Sequence, residues 1–145
     1  MDKMRNIEQT IGNLIDYAKV TIMSYLDEEG YPVSRAMLPP RQRDSIREFL
    51  FTTNTSSQKV ACYRKNSKAS IYFFDPRFFR GVCLTGEMKV EESQIMKSRI
   101  WKEGDTMYYK EGVTDPDYCV LKFVAQCGRY YHNFKSEDFK IGEKE

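Results

Sequence analysis

The sequence predicts a mainly β protein: a small antiparallel β-barrel of about six strands, flanked by helices. Two observations carry this prediction. About six segments are rich in β-branched and aromatic residues or alternate apolar with polar residues, and most follow one another across short turns. Few segments repeat apolar residues at helical spacing, so the crossovers that a parallel sheet needs between most strand pairs are lacking. The length of 145 residues fits a single domain over residues 1–145.

The N-terminal elements are a helix and a hairpin. Apolar residues recur at spacings of three and four over residues 2–17, which predicts a helix with one apolar face. Residues 19–26 and 31–38 are rich in β-forming residues and are joined through Gly30, so we expect two antiparallel strands about a tight turn. Residues 41–45 are polar and are predicted to form a loop.

The central segment, residues 49–66, combines a strand, a hydroxyl-rich turn and the start of a helix. Residues 49–53 are aromatic and β-branched, as in a buried strand. The turn contains Ser56 and Ser57, and a short helix is predicted from Gln58. The first amide groups of a helix have no intrahelical partner and favour an anion, so a phosphate is a suitable ligand here. An ordinary helix cap that binds no ligand is the alternative that these residues leave open.

The second half of the chain adds further strands and a helix. The predicted elements are strands at 68–74 and 82–90, a helix at 93–101, an irregular stretch at 104–116, and a last hairpin of residues 118–124 and 129–134. The turn of this hairpin is placed at Gly128, because glycine is a common turn residue. Residues 135–145 are polar and are predicted to form a loosely held tail.

Composition and charge argue against several functional classes. The net charge of +2 gives no strong basic character for nucleic acid, and no apolar run approaches the roughly 20 residues of a membrane span. We therefore expect a cytoplasmic protein with no nucleic-acid or membrane partner. The four cysteines form no Cys-x-x-Cys pair and the single histidine is His132, so no metal site is predicted. One histidine also disfavours a protease-like triad, so chemistry is expected to come from a cofactor.

Several short motifs occur in one order along nearly the whole chain, from Asn6 to Phe134. They are Pro-Val-Ser-Arg-Ala-Met at 32–37, Phe-Thr-Thr-Asn-Thr-Ser-Ser-Gln-Lys at 51–59 followed by Asn66, Phe-Phe-Asp-Pro at 73–76, Gly-Val-Cys-Leu-Thr-Gly at 81–86, then Trp101, Tyr108-Tyr109 and Gly-Val-Thr-Asp-Pro-Asp at 112–117. Each motif is short, so their shared order carries the match. In this order the chain resembles the pyridoxamine 5′-phosphate oxidase-like flavoproteins, specifically the short general stress protein branch.

The resemblance implies an FMN-binding split barrel that works as a homodimer, with the flavin in a cleft between the subunits. Arg35 and Lys59 match the cations that hold the FMN phosphate, with Ser57 adding a hydroxyl and Gln58 a nearby donor. A phosphate between fixed cations at a helix start agrees with the physics of such sites. The positions expected to bind the cofactor are Arg35, Ala36, Met37, Phe51, Thr52, Thr53, Ser57, Gln58, Lys59 and Trp101.

Other site residues are expected at the edge of the cleft, and each has a simpler interpretation. Trp101 and Tyr108 are expected to close the cleft, with packing in the core or in a dimer interface as the alternative. Arg35 is alternatively an exposed strand cation, and Lys59 part of a solvated helix face.

Three departures from the family pattern limit what the resemblance implies. Gln58 stands where the true oxidases carry an arginine, which leaves the phosphate clamp weaker by one charge. Gly81 stands where those enzymes carry a glutamine that contacts the flavin. The sequence also ends without the segment whose arginine and histidine hold pyridoxal phosphate. We therefore do not expect a true pyridoxamine 5′-phosphate oxidase.

The leading functional hypothesis is a flavin-dependent oxidoreductase with an unknown substrate and electron donor, and its catalytic residues are unassigned. FAD and a deazaflavin are alternatives to FMN, whereas haem is not expected because His132 is interpreted as a strand residue. A non-catalytic flavin-binding or stress-related sensing module is the alternative function. A weaker third hypothesis is binding of single-stranded nucleic acid through Tyr130, Tyr131 and Phe134.

Overall fold

The structure is a computed structural model that describes residues 3–142. Within these residues it contains three α-helices and eight β-strands. The helices are α1 (Lys3–Tyr17), α2 (Gln58–Lys65) and α3 (Gln94–Arg99). The strands are β1 (Thr21–Leu26), β2 (Pro32–Met37), β3 (Gln42–Asp44), β4 (Glu48–Asn54), β5 (Lys68–Asp75), β6 (Arg80–Glu91), β7 (Tyr118–His132) and β8 (Lys135–Lys140).

The strands of the described chain form one antiparallel sheet, so the prediction of a mainly β fold with flanking helices is confirmed. The hydrogen-bonded order is β2-β1-β5-β6-β7-β4-β3, and β8 pairs with the second half of β7. The six-stranded closed barrel is corrected in two respects. There are eight strands, and no pairing joins the outer strands β2 and β3 within residues 3–142. β3 has three residues, so it offers few hydrogen-bonding groups with which to close the sheet.

The last hairpin differs from its prediction. β7 runs unbroken over Tyr118–His132, so Gly128 lies inside a strand rather than in a turn. A Cβ at Gly128 would clash with the ring of Phe139, so this glycine allows close packing. The turn lies at Asn133 and Phe134, whose φ angles of 54° and 64° are those a two-residue hairpin turn requires.

The segment predicted as a loosely held tail is part of the sheet as far as Lys140. β8 pairs with the second half of β7, and Phe139 on β8 is only 6% exposed. An apolar side chain packed over Gly128 fixes this strand, which the polar composition of the segment concealed. Residues 143–145 of the predicted tail lie outside the described residues. Similarly, β3 forms within residues 41–45, where the sequence predicts a loop.

The main core lies between α1 and the inner face of the sheet. Ile11 and Leu14 on the apolar face of α1 are fully buried, in the same cluster as Phe49, Phe73 and Phe123. The ring of Phe49 lies 5.9 Å from that of Phe73 and 6.2 Å from that of Phe123, distances typical of favourable aromatic pairs. The helical spacing of apolar residues therefore predicted the buried face of α1 correctly.

β4 is buried on both faces, which explains its unbroken apolar run. Phe49 faces the main core, whereas Leu50 packs in a second cluster with Ile100, Tyr109 and Tyr118. Consecutive residues of a strand point to opposite faces, so the two clusters hold β4 from both sides. The C-terminal half of β4 is therefore firmly placed where it enters the turn before α2.

A buried carboxylate closes the turn between β5 and β6. Asp75 ends β5 and is fully buried, and it accepts hydrogen bonds from the backbone and guanidinium of Arg77 and from Arg80 Nε, at 3.0–3.1 Å. The hydrogen bond from Arg77 is the main cause that lowers the pKa of Asp75 from 3.8 to about 2. A lowered pKa means that the ionised carboxylate stabilises the folded state above pH 3.8.

Replacing Asp75 by asparagine is expected to lower the free energy of unfolding at neutral pH. In the wild type this contribution is lost as the pH falls from 3.8 towards 2, so the variant should depend less on pH in that range. Urea unfolding at pH 7 and pH 3 measures both effects. Asp138→Asn, at an ion pair whose carboxylate is 70% exposed, is the control and should change stability by less than about 0.5 kcal/mol. Equal pH dependence in the wild type and Asp75→Asn would contradict the prediction.

Candidate functional site

A pocket lies where β2, the C-terminal half of β4, the start of α2 and the segment after α3 meet. Seven of the ten residues predicted to bind the cofactor line it: Arg35, Ala36, Met37, Phe51, Thr52, Thr53 and Lys59. Tyr108, predicted to close the cleft, lines it too. Leu38, Pro39, Arg41, Asn54 and Tyr109 also line the pocket and were missed from the sequence.

The pocket borders an unpaired edge of β4. β3 pairs with β4 only over Glu48–Leu50, and the next hydrogen bond on that edge runs from Arg41 N to Leu50 O at 2.8 Å. The other edge of β4 pairs with β7 along its whole length. In an antiparallel ladder the backbone groups of alternate residues point to opposite edges, and those of Phe51 and Thr53 point to β7. The amide and carbonyl of Thr52 therefore face the pocket side, where no described strand uses them.

Asp117 organises the turn between β4 and α2. Its carboxylate accepts hydrogen bonds from Ser56 N at 2.7 Å and Asn54 Nδ2 at 3.0 Å, and its carbonyl accepts from Thr55 N at 2.8 Å. The hydrogen bond from Ser56 is the main cause that lowers the pKa of Asp117. The Asp-Pro-Asp motif contains this residue, but no local pattern indicates that it holds a turn about 60 residues away.

Lys59 is the buried cation of the pocket. It lies in the first turn of α2 and is 6% exposed. Burial, together with the positive charge of Arg35, lowers the pKa of its amine. No carboxylate lines the pocket, and the described residues provide no ion pair for either Lys59 or Arg35. A buried charge without a counter-ion is costly, so the site favours an anion.

Ser57 and Gln58 lie at the start of α2 but do not line the pocket. Ser57 is the N-cap residue, yet its side chain makes no capping hydrogen bond. Its Oγ is buried without a partner among the described residues, which is unusual for a hydroxyl. Gln58 is exposed at the first position of the helix. Ser57 Oγ thus lacks a hydrogen-bond partner two positions before Lys59 in the sequence, whereas Gln58 is exposed to solvent.

A third cation at the pocket, Arg41, is already neutralised. Its guanidinium donates two hydrogen bonds of 2.8 Å to the carboxylate of Asp105, which is 4% exposed. The hydrogen bond from Arg41 is the main cause that lowers the pKa of Asp105. Arg35 and Lys59 are therefore the two lining cations of the described pocket that lack a carboxylate partner.

Trp101 lies beside the pocket rather than in its lining. Its ring packs at 5.2 Å from the ring of Tyr118 and 6.1 Å from that of Tyr109, in the second apolar cluster. Tyr109 is buried and does line the pocket, and Tyr108 beside it is 51% exposed. Trp101 thus contacts the aromatic wall of the pocket from behind, which agrees with its simpler interpretation as packing.

Residues that motivated other hypotheses lie elsewhere. Tyr130 packs against the main core, whereas Tyr131 contacts Phe79 on the other face of β7, so the two tyrosines form no common surface. His132 stacks on Tyr130 at 5.8 Å, away from the pocket lining. Within residues 3–142 no three histidine, cysteine or acidic side chains are grouped as metal ligands. No helix of that range is long and apolar enough to cross a membrane.

The fold and the site together define a class: small antiparallel β proteins with a pocket in which a strand cation, Arg35, and a cation at the start of a helix, Lys59, both lack a carboxylate partner. The chain belongs to the pyridoxamine 5′-phosphate oxidase-like family, whose model matches residues 6–142. The family predicted from the order of the motifs is therefore confirmed.

A curated relative and a solved structure agree with this family. The chain is 34% identical over 73 residues to the pyridoxine/pyridoxamine 5′-phosphate oxidase of Legionella pneumophila. The aligned region covers 50% of this chain and 33% of that protein. The chain therefore aligns with about a third of that relative's length. A protein from Clostridium acetobutylicum related to general stress protein 26, of the pyridoxinephosphate oxidase family, is 33% identical and covers 97% of both chains with a TM-score of 0.87.

Two more distant structures share the fold but differ in cofactor. A pyridoxamine 5′-phosphate oxidase-related, FMN binding protein from Nostoc punctiforme has a TM-score of 0.70 at 14% identity, covering 99% of this chain and 98% of that one. A heme binding protein from Mycobacterium smegmatis has a TM-score of 0.71 at 14% identity, covering 97% of this chain and 59% of that one. At such identities the likeness shows the fold alone.

Proposed function

We propose that this chain is an FMN-binding flavoprotein that works as a flavin-dependent oxidoreductase, with the FMN phosphate held by Arg35 and Lys59. The observation that carries the proposal is a buried lysine beside an arginine, in a pocket lined by no carboxylate. A phosphate ester carries a charge of roughly −1.5 to −2 and accepts several charge-assisted hydrogen bonds, so it supplies the missing counter-charge. The FMN-binding neighbour from Nostoc punctiforme supports the choice of flavin.

The start of α2 completes the phosphate end. The first amide groups of a helix carry a partial positive charge, and those of α2 receive no hydrogen bond from the Ser57 side chain. We assign the buried Ser57 hydroxyl, which lacks a partner within the described chain and stands two positions before Lys59 in the sequence, as a further donor to the phosphate. Gln58 adds no charge, so the proposed clamp consists of two cations and one hydroxyl.

The ring end of the cofactor is assigned to β2 and β4. Met37 supplies apolar surface, and Ala36 leaves room beside it. The unpaired edge of β4 offers a backbone donor and an acceptor at Thr52, which suit the polar edge of a flavin ring. An apolar surface next to aligned backbone groups orients a planar ring without requiring further charged side chains.

The chemistry would come from FMN, which supplies electron transfer when bound. The titratable side chains that line the described pocket are Arg35, Arg41, Lys59, Tyr108 and Tyr109. None is a carboxylate or an imidazole, the groups that most often act as general bases near neutral pH. The proposed role of the protein is therefore to bind and orient the cofactor, which suits hydride or electron transfer better than acid–base chemistry.

Haem is the competing cofactor, because a haem-binding protein shares the fold. The chain has one histidine, and His132 does not line the pocket. The pocket offers cations for a phosphate instead, which favours FMN. FAD and a deazaflavin are the remaining alternatives, and mass spectrometry of the compound released on denaturation distinguishes them.

The proposal is tested by the absorbance spectrum of the purified protein, before and after incubation with FMN. Flavin absorbance in the visible blue and saturable FMN binding are expected. No flavin absorbance after incubation, together with no saturable binding, would refute the proposal.

A non-catalytic flavin-binding or sensing module is the alternative within the same family. It shares the phosphate site but lacks turnover. Steady reduction of the bound flavin by NADH or NADPH, followed by reoxidation by an added acceptor, would exclude this alternative. A flavin that binds but is not reduced by either donor would favour it.

We also propose that the protein is a homodimer with the flavin near the subunit interface. Ile22, Phe74 and Tyr72 line an apolar groove on the outer face of the sheet, a surface type that often marks an interface. Ile22 pairs with Ala36, which lines the pocket, so a second copy over this groove would border the cofactor site. Light scattering measures the molar mass in solution and so tests for the dimer.

We propose that the protein is located in the cytoplasm. The four free cysteines suit a reducing compartment.

A further inference from the structure

A salt bridge of two nearly buried side chains fastens the segment beyond α3 to the pocket. Arg41 Nη1 and Nη2 each donate to one carboxylate oxygen of Asp105 at 2.8 Å, and the two side chains are 12% and 6% exposed. Arg41 Nη1 also donates to Ile100 O at 2.9 Å, and Asp105 Oδ2 accepts from Lys102 N at 2.8 Å. A single guanidinium thus fixes both ends of the stretch from residue 100 to residue 105.

The fastened segment carries the aromatic wall of the pocket. The backbone amides of Tyr108 and Tyr109 donate to the carbonyl of Asp105 at 2.9 and 3.0 Å, so their placement follows from that of Asp105. Tyr109 is 4% exposed and packs at 4.7 Å from Tyr118, whereas Tyr108 is 51% exposed. Both tyrosines line the pocket. Their rings lie on a different element from Lys59, the phosphate-binding cation.

Two glycines bracket the segment. Gly104 and Gly112 have φ angles of 96° and 84°, and a Cβ at either would meet no atom within 4 Å. None of the described strands pairs with residues 105–111. The placement of this segment therefore depends on the packing of Tyr109, on the ion pair between Arg41 and Asp105, and on the hydrogen bond from Glu111 N to the Asp115 carboxylate at 2.9 Å.

We propose that Arg41 and Asp105 are positioning residues for the ring end of the ligand, holding Tyr108 and Tyr109 as the wall against which a planar ring packs. This inference rests on the proposed FMN function. Stacking on an aromatic side chain needs the side chain in place before the ligand arrives. The ion pair provides this placement without occupying the phosphate site, because both of its charges are already satisfied.

The test compares FMN with riboflavin, which has the same ring and no phosphate. Asp105→Asn retains the shape of the side chain but removes the charge that Arg41 binds. It is expected to weaken binding of both flavins by about tenfold, the loss of one stacking contact, so that the ratio of their dissociation constants stays that of the wild type. Loss of a phosphate contact would instead change this ratio.

Asp16→Asn is the matched control. It breaks another two-pronged arginine–aspartate pair, at 2.7 and 2.8 Å to Arg43, but on the surface and away from the pocket lining. It is expected to leave both flavin affinities unchanged. Tyr108→Ala is the second variant, since a half-exposed side chain can be removed without threatening the fold. It should weaken the binding of FMN and of riboflavin by the same factor. If Asp105→Asn does not fold, this variant alone tests the inference.

A second readout needs no ligand. Trp101 is the single tryptophan of the chain and packs against Tyr109, so its fluorescence reports on the segment. Acrylamide should quench it more strongly in Asp105→Asn than in the wild type or Asp16→Asn. Folded Asp105→Asn or Tyr108→Ala protein that binds both flavins as tightly as the wild type would overturn the inference and leave the proposed function standing. A wild type that binds neither flavin would overturn both.

Discussion

Lys59→Met is expected to weaken FMN binding by roughly ten- to a hundredfold while leaving riboflavin affinity nearly unchanged. A hydrogen bond to a charged group contributes about 1.5–3 kcal/mol, which corresponds to that factor. Only FMN carries the phosphate, so the ratio of the two dissociation constants isolates the contact. Fluorescence titration of the purified variant with each flavin measures both constants. Arg35→Ala should act in the same direction, with a smaller effect because Arg35 is exposed.

The same substitution is expected to stabilise the ligand-free protein. Burial and Arg35 lower the pKa of Lys59, so the charged amine disfavours the folded state. A lowered lysine pKa makes wild-type stability rise as the pH increases from the folded-state pKa towards the unfolded value of 10.5. Methionine has no such cost, so the gain in Tm should be largest at neutral pH and shrink at alkaline pH.

Lys65→Met is the control for this experiment. Lys65 lies on the same helix, and its side chain is 68% exposed in an ion pair with Glu28. Its replacement should leave FMN affinity unchanged and have little effect on Tm, because exposed ion pairs contribute little to stability. If Lys59→Met bound FMN as tightly as the wild type, Lys59 could not be the phosphate ligand. An unchanged or lower Tm without ligand would contradict the cost assigned to the buried amine.

Phe49→Ala is expected to lower the free energy of unfolding by about 3–5 kcal/mol, the usual cost of removing a buried phenylalanine. Phe49 is fully buried between Phe73 and Phe123, so little solvent or side-chain movement can fill the cavity. β4 also carries Phe51 and Thr52 to the pocket. A less firmly packed β4 should therefore weaken flavin binding as well. We expect the loss of binding free energy to be smaller than the loss of the free energy of unfolding.

Phe134→Ala provides the comparison, because its ring is 95% exposed in the turn between β7 and β8. This substitution deletes the same ring from an exposed position, so stability should change by less than about 0.5 kcal/mol. Urea unfolding measures both variants. Similar losses for Phe49→Ala and Phe134→Ala would show that the cluster around Phe49 is not packed as described.

The resemblance implied two cations of the site from short motifs far apart in the sequence. Arg35 and Lys59 each stand in a short motif, and the structure brings both to one pocket. Arg41 was missed, because its partner Asp105 lies 64 residues away and nothing local distinguishes a buried ion pair from two surface charges. Gly128 was misassigned for the same reason: the ring that explains this glycine belongs to Phe139 on the next strand.

In the fold, too, local elements could be predicted from the sequence and long-range pairings could not. Helix α1, the β1–β2 hairpin and the start of α2 follow from spacing, turn residues and composition. The pairing of β4 with β7 and the open sheet do not, because strand partners far apart in sequence leave no periodic signal. The polar segment of β8 likewise gives no sign that one apolar residue, Phe139, fastens it.

The place of β7 in the sheet has a consequence for synthesis on the ribosome. Among the described strands, β4 pairs with β3 and β7, while β1, β2, β5 and β6 reach β4 only through β7. The two walls of the pocket, on β2 and β4, are made early in translation but have no hydrogen-bonded connection until residues 118–124 emerge. Nascent chains shorter than this should expose two unjoined β units, which makes them natural clients for chaperones.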